Sequence, residues 1–213
     1  MKQTKNFIQN IRHLNLHLCE DVKFSDNQLP EIVPIYEIPN KLISYKDCRK
    51  TNDYNGFVHF YIDDIHFERI WSHPEESLSL LQKYDGVIMP DYSIYWDAPM
   101  PVQHWNLYRS RLIGSYWQQN GIKVIPTIPF STFDFNKYSL TGLAKGSFVS
   151  VSNVGSRKDH FRRTCFQQGL NSLIYNLEPK AIIVYGDIDS FNFHGIKTYC
   201  YKPNVFKYNE RKK

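Results

Sequence analysis

Residues 57–62 read FVHFYI, a short apolar run rich in β-formers that is followed directly by Asp63 and Asp64. Four comparable runs come later in the chain: GVIMP (86–90), IKVIPTI (122–128), SFVSVS (147–152) and AIIVYG (181–186). Segments with helical periodicity separate them, and this alternation is typical of βαβ units around a mainly parallel sheet. About five units are visible, whereas a full (β/α)₈ barrel usually needs about 250 residues. The sequence therefore predicts an α/β fold whose sheet is open or forms an incomplete, barrel-like (β/α) arrangement.

Two long helices are expected between these strands. The clearer one spans roughly 101–120, and the other begins after Asp159, a suitable N-cap, and ends before Pro179. Placed at 100° intervals, the large apolar residues of the first helix share one arc, which comprises Val102, Trp105, Tyr108, Leu112, Ile113 and Tyr116. Arg109 falls inside that arc, whereas Arg111 is predicted on the opposite, polar side of the helix.

The chain has 213 residues, of which 42% are hydrophobic and 15% aromatic, so a disordered chain is excluded and one sizeable domain is expected. The predicted organisation is an irregular N-terminal segment packed on the core (1–55), an α/β domain (56–206) and a basic tail (207–213). A net charge of +5 permits an anionic partner without requiring one.

The cysteines are far apart in sequence, which argues against a zinc ribbon and against a disulfide framework. They are Cys19, Cys48, Cys165 and Cys200, and buried free thiols are expected. The N-terminus lacks the apolar region of a signal peptide, and no apolar run is long enough to span a membrane. The sequence therefore predicts a soluble, cytoplasmic protein with no membrane partner.

Polar residues follow the predicted strands at the carboxyl ends, where parallel α/β folds bind their ligands. The candidate catalytic residues there are Asp63, Asp64, Asp91 and Asp187. Adjacent carboxylates such as Asp63 and Asp64 are suited to binding a metal, to general acid–base catalysis or to orienting a basic group. The alternative is that these residues only form turns and helix caps.

Arg109 is the fifth candidate catalytic residue, because an arginine within a buried stripe must find an anion or reach out to water. We expect its partners to be Asp63 or Asp64, together with Asp91. Such a pair is either a structural ion pair or an arginine prepared for a substrate carboxylate or phosphate.

Residues 152–163 read SNVGSRKDHFRR, a strand end, a glycine turn and a helix start, which is the layout of a phosphate site at a helix N-terminus. The candidate phosphate-binding residues are Asn153, Gly155, Arg157, Lys158, Arg162 and Arg163. Cations at a helix start oppose the helix dipole, and a bound anion would offset that conflict. No established phosphate-loop motif is present, so a solvated basic surface is the alternative.

Several ordered motifs resemble an uncharacterised domain of bacteria and their phages, domain of unknown function 4417. They are FYIDD (60–64), FE (67–68) with Trp71, YDG (84–86), PDYS (90–93), NLYRSR (106–111), Gly121 with VIP (124–126), and VSNVG (151–155). The resemblance covers roughly residues 55–190 and implies a phage or mobile-element setting, but it supplies no reaction. Such families typically show Ser-Thr where this chain has Ser152-Asn153.

Three functional hypotheses follow. The first is a phage or mobile-element protein that binds a phosphorylated ligand, most simply nucleic acid or a nucleotide, through the 155–163 turn and the basic tail. The second is an enzyme that uses the strand-end aspartates, with or without a divalent metal. The third is an inhibitor that binds a host protein through exposed aromatic side chains. The sequence favours the first and leaves any cofactor or metal undetermined.

Overall fold

A computed structural model of the chain describes residues 12–203. Within this range seven strands run parallel to their neighbours and lie in the order of the sequence. They are β1 (Leu42–Ser44), β2 (Phe57–His59), β3 (Gly86–Ile88), β4 (Val124–Ile125), β5 (Phe148–Ser152), β6 (Ala181–Tyr185) and β7 (Thr198–Tyr201). β1 to β4 form one sheet and β5 to β7 form a second.

The two sheets meet at a single parallel bridge between Thr127 and Ser150. Ser150 accepts a hydrogen bond from the amide of Ile128 at 2.9 Å and donates its own amide to Pro126 at 2.8 Å. At the other end of the series, β7 and β1 share no ladder, and the Tyr201 hydroxyl donates to the carbonyl of Pro39 across the gap. The predicted α/β fold with an incomplete, barrel-like parallel sheet is confirmed.

All five predicted strands are present, and two further strands, β1 and β7, extend the series at its two ends. β1 lies within the predicted N-terminal segment, directly after a proline-containing stretch, and such residues favour an edge over a central strand. The predicted tail 207–213 lies outside the described residues.

Side chains alternate between the two faces of the strands. Val58, Val87 and Val124 join the cluster under the helices, whereas Ile88 and Ile183 pack together on the opposite, inner face. The inner cluster also contains Phe57 and Ile125, with Ile35, Leu42, Tyr61, Phe148 and Tyr201 packed against it. It therefore joins both sheets into one core.

Within residues 12–203, five α-helices and four 3₁₀ turns cover the strands. The α-helices are α1 (Arg69–Ser72), α2 (Leu78–Leu81), α3 (Met100–Gln119), α4 (Phe133–Ser139) and α5 (His160–Leu177). The 3₁₀ turns are Arg12–Leu14, Leu16–Cys19, Asp64–His66 and Pro74–Ser77. Asp159 caps α5 as predicted, because its carboxylate accepts from the amide of Arg162 at 2.8 Å.

The predicted apolar arc of α3 is only partly correct. Val102 is 47% exposed, whereas Arg111, expected on the polar side, is fully buried. The reason is that α3 has two covered sides, because α4 packs over the side that does not face the sheet. Leu107 meets Phe135 there, and Arg111 donates from Nη2 to the carbonyl of Ser139 at 2.5 Å.

The described residues contain no helix that is both long and apolar enough to cross a membrane. All four cysteines are free, but only Cys48 is buried, so the expectation of buried thiols holds for that residue alone.

Candidate functional site

A cleft of about 490 Å³ opens at the carboxyl ends of β3, β4 and β5. Its walls are the stretch 91–97 after β3, residues 128–131 after β4, the turn that follows β5 and the first turns of α5. Among its lining residues are the predicted candidates Asp91, Gly155, Lys158 and Arg162. One of the proposed catalytic carboxylates and half of the proposed phosphate site therefore share one cavity at the edge where parallel α/β folds bind ligands.

Asp91 is a partly buried carboxylate with few partners of its own. The Thr127 hydroxyl donates to Oδ1 at 3.4 Å, and within residues 12–203 no cation lies within salt-bridge distance. Burial, reinforced by the negative charge of Asp64, raises the pKa of Asp91 to about 7. A carboxyl that changes protonation near neutral pH is suited to general acid–base work and to pH-dependent binding.

Buried hydroxyls connect Asp91 to the inner face of the sheet. The Tyr61 hydroxyl lies 3.1 Å from that of Thr127 and donates to the Ser150 hydroxyl at 2.6 Å. Ser150 in turn donates to the carbonyl of Ile183 at 3.1 Å. Burial raises the pKa of Tyr61, so this phenol stays neutral and acts only through hydrogen bonds.

His59 is a packed core histidine at the end of β2. It is 3% exposed, and its Nδ1 accepts from the amide of Tyr61 at 3.2 Å. Its ring lies 4.5 Å from that of Tyr185. Burial lowers the pKa of His59 to about 4, so the ring is neutral at physiological pH.

The two adjacent aspartates are directed to different places. Asp64 accepts from both the amide and the hydroxyl of Ser93, at 3.0 and 2.9 Å. It therefore anchors the loop that carries Asp91. Asp63 is exposed and is not part of the cleft wall.

Arg109 is buried and paired, but its predicted aspartate partners are wrong. Its Nη1 donates to Glu68 at 2.6 Å, its Nη2 donates to Asn106 at 2.8 Å, and its guanidinium lies 3.9 Å from the Tyr92 ring centroid. The 3₁₀ turn after β2 places Glu68 closer than either aspartate, and the oxygens of Asp64 are already occupied by Ser93.

Glu68 and Asn106 are thus the residues that sequence reasoning missed. Asn106 also donates to the carbonyl of Ser93 at 2.8 Å, which links Arg109 to the loop of the cleft. The i, i+3 spacing of Asn106 and Arg109 on one helix was a usable signal. The contact between Arg109 and Glu68 spans 41 positions, and no local sequence signal indicated it.

The two members of the ion pair should differ in their effect on stability. The side chain of Arg109 is 11% exposed and that of Glu68 is 48% exposed. Arg109→Met leaves a carboxylate that water can reach, so we expect it to lower the free energy of unfolding by about 1–2 kcal/mol. Glu68→Ala leaves a buried cation without its anion and should cost about 2–3 kcal/mol. Urea unfolding at pH 7 measures both, and a larger cost for Arg109→Met would contradict this assignment.

Asn153 and Arg157 hold two strand ends together. The Asn153 amide donates to the carbonyl of Asp187, and its oxygen accepts from the amide of Asp187 at 3.1 Å. Arg157 pairs with the Asp187 carboxylate at 2.6 Å. Gly186 has φ +143°, and a Cβ there would lie 1.8 Å from the Asn153 oxygen, so glycine is required at this junction. Asp187 is therefore engaged by two of the proposed phosphate-binding residues, its backbone by Asn153 and its carboxylate by Arg157.

The remaining basic residues separate into two groups. Lys158 and Arg162 line the cleft, and Gly155 turns the chain toward them with φ +84°. Arg163 is exposed but is not part of the cleft wall. Arg162 also lies 3.4 Å from Asp159 in a solvent-exposed pair that contributes little stability.

Exposed aromatic rings stand at the same cleft. Tyr95, Trp96 and Phe161 are 63%, 54% and 51% exposed. The rings of Trp96 and Phe161 meet edge to face with centroids 5.0 Å apart, although one follows β3 and the other begins α5. The stretch IYW (94–96), which follows the strand-end Asp91, was a sequence signal for Tyr95 and Trp96 that the strand and helix patterns did not use.

A metal centre is not evident from the side chains. No group of three or more His, Cys, Asp or Glu side chains in the described part of the chain is arranged to hold a metal ion. The chemistry that the cleft offers from its own residues is one partly buried carboxyl (Asp91), one exposed carboxyl (Asp97), two cations, one thiol, several hydroxyls and a set of rings.

Comparison with known proteins agrees with the motifs. The model of the family described as domain of unknown function (DUF4417) matches residues 23–208. The chain is 32% identical over 179 residues to the Gene 1 protein of Mycobacterium phage D29, covering 81% of this chain and 66% of that protein. It is 34% identical over 179 residues to the Gene 1 protein of Mycobacterium phage L5, covering 82% and 77%. No solved structure matches the chain. The chain therefore belongs to the DUF4417 family and is a phage-type protein.

Proposed function

We propose that the cleft binds a phosphorylated ligand with an aromatic base, as a nucleotide or as a single-stranded stretch of nucleic acid. The observation that supports this most directly is the presence of exposed rings and cations in the same cavity. Trp96 and Phe161 supply the rings, and Lys158 and Arg162 supply the charge. Single-strand binding sites combine these two features, because bases stack on rings while cations follow the phosphates.

The exposure of the rings supports the proposal. An exposed indole leaves apolar surface in contact with water, and clustered exposed apolar side chains usually mark a binding surface. Trp96 and Phe161 contact each other but leave about half of each side chain uncovered. A stacked base would cover that surface, and such stacking contributes about 1–3 kcal/mol per base.

The charges support a phosphate more than a neutral ligand. Lys158 has no carboxylate within 4 Å in the described residues, and Arg162 has only its exposed neighbour Asp159. Both lie at the start of α5, where the helix dipole adds positive potential. A phosphate in the cleft would bring negative charge to cations that are only weakly neutralised.

The salt dependence of nucleic-acid binding tests this directly. For a labelled single-stranded oligonucleotide, we expect log Kd to rise with log salt in proportion to the phosphates contacted, at about 0.7 per contact. Lys158→Gln and Arg162→Gln should each lower that slope by the value of about one phosphate contact, roughly 0.7. Trp96→Ala should weaken binding by about 1–3 kcal/mol without changing the slope.

The control is Lys145→Gln, since Lys145 pairs with Glu178 away from the cleft. It should leave both affinity and slope unchanged. The proposal would be rejected if Lys158→Gln and Arg162→Gln kept the wild-type slope. It would also be rejected if the chain bound neither single strands nor free nucleotides.

A second candidate function is catalysis with Asp91 as general acid or base. It is favoured by one observation, the pKa of Asp91 near 7 in a cleft that reaches solvent. Under that proposal, turnover of a nucleotide substrate would disappear in Asp91→Asn while its binding remained.

A further inference from the structure

We propose that Asp91 recognises the guanine base of the bound nucleotide by accepting hydrogen bonds from N1–H and the N2 amino group. This inference rests on the proposed function, since it assigns a base preference to the same cleft. It makes Asp91 a specificity-determining residue.

Because the Asp91 carboxylate has unused accepting capacity, it is suited to a ligand that donates hydrogen bonds. Oδ1 receives one long bond from Thr127 at 3.4 Å, and within the described residues nothing donates to Oδ2. An ionised carboxylate only accepts, and its two oxygens can take two parallel N–H bonds. Asp64 has both oxygens bound to Ser93, and Asp97, which also lines the cleft, is exposed to solvent. Asp91 is therefore the partly buried carboxylate of the cleft that has free accepting capacity.

Guanine fits this requirement among the bases. Its Watson–Crick edge presents N1–H and an amino group side by side, which matches two acceptor oxygens. Adenine and cytosine each present one amino group beside a ring acceptor, so an ionised carboxylate meets one donor and one repelling lone pair. Uracil presents one N–H between two carbonyls. A mismatch of this kind leaves a polar group unpaired and costs about 1–3 kcal/mol.

The charged and titratable groups around Asp91 set the pH dependence of this recognition. Asp64 and the Tyr61 hydroxyl face it from the end of β2, and the Thr127 hydroxyl faces it from the end of β4. The other charged or titratable side chains that line the cleft are Tyr92, Tyr95, Asp97, Lys158, Arg162 and Cys165. Tyr61 stays neutral because burial raises its pKa, whereas Asp91 changes charge near neutral pH because its pKa is about 7. When it is protonated it gains a donor, which suits the acceptor–donor edges of adenine and cytosine.

The test is equilibrium binding of GMP, AMP, CMP and UMP, followed by the fluorescence of the chain's tryptophans or by calorimetry, at pH 8.5 and pH 5.5. At pH 8.5 we expect GMP to bind about 10-fold or more tightly than the other three. At pH 5.5 the preference for GMP should shrink, and AMP and CMP should gain relative to UMP. Asp91→Asn should remove the preference at both pH values.

Asp134→Asn, at an exposed carboxylate on α4 outside the cleft wall, is the matched control and should keep the wild-type preference. Equal affinity for all four nucleotides would overturn base recognition while leaving the proposed function intact, because a ribose diol on Asp91 would give that result. If none of the four nucleotides binds and oligonucleotides also fail, both proposals fall together.

Discussion

Arg111→Met is expected to raise the free energy of unfolding by about 1–4 kcal/mol. Arg111 is fully buried, and its Nε and Nη1 have no hydrogen-bond partner, while Nη2 reaches only the carbonyl of Ser139. No carboxylate in residues 12–203 lies within salt-bridge distance of it, and burial lowers its pKa to about 9. Methionine is an unbranched, uncharged side chain that can occupy much of the space of Arg111. It therefore removes the cost of burying the guanidinium charge and loses only the hydrogen bond to the carbonyl of Ser139.

Denaturant unfolding at pH 7 measures this change. Arg111→Lys keeps the charge, makes fewer hydrogen bonds and should not stabilise the chain, which separates the effect of charge from that of packing. A clear loss of stability in Arg111→Met would contradict the prediction that the buried charge is a net cost to the fold.

Asp91→Asn is expected to stabilise the protein in a pH-dependent way. The folded chain keeps the Asp91 proton up to a pH near 7, whereas an unperturbed carboxyl releases it near 3.8. Between these values the folded chain binds more protons, so wild-type stability contributed by Asp91 falls as the pH rises. Asparagine does not ionise, so its contribution to stability does not fall as the pH rises. The free energy of unfolding of Asp91→Asn should therefore exceed that of the wild type by about 2–4 kcal/mol above pH 7.5 and by much less at pH 4.5.

Unfolding curves of the two proteins across pH 4.5 to 8.5 give this difference. Buried His59 has the opposite effect: its lowered pKa makes stability fall as the pH drops toward 4, but it is present in both proteins and cancels. For a chain of this size the gain corresponds to a rise in Tm of about 5–12 °C. A difference that is constant across this pH range would mean that Asp91 is ionised in the folded state throughout.

The strands were predictable because their signal is local. Val58, Val87 and Val124 alternate with residues of the inner face, and each run is short enough to exclude a helix. The cap of α5 was equally local, since Asp159 reaches an amide three positions away. For the site, Asp91, Gly155, Lys158 and Arg162 were each marked by position at a strand end or helix start, and the topology of parallel strands brought them together.

What could not be predicted depends on contacts between distant segments. Arg109 needed an anion, but which anion depended on how the turn after β2 folds over α3, and Glu68 occupies that position. Arg111 looked exposed because a helical projection assumes one buried face, whereas α4 covers a second. The aromatic wall combines Trp96 and Phe161, which belong to different units and meet only in the folded chain.

The two sheets share a single β-bridge, between Thr127 and Ser150, so few backbone hydrogen bonds join them although the inner cluster packs against both. The cleft straddles this junction, with Trp96 on one side and Lys158 on the other. Under the proposed function, a ligand held by both sides would add contacts between the two sheets, and its binding free energy would add to the stability of the folded chain. If the proposed ligand binds, the junction between the two sheets should become more rigid.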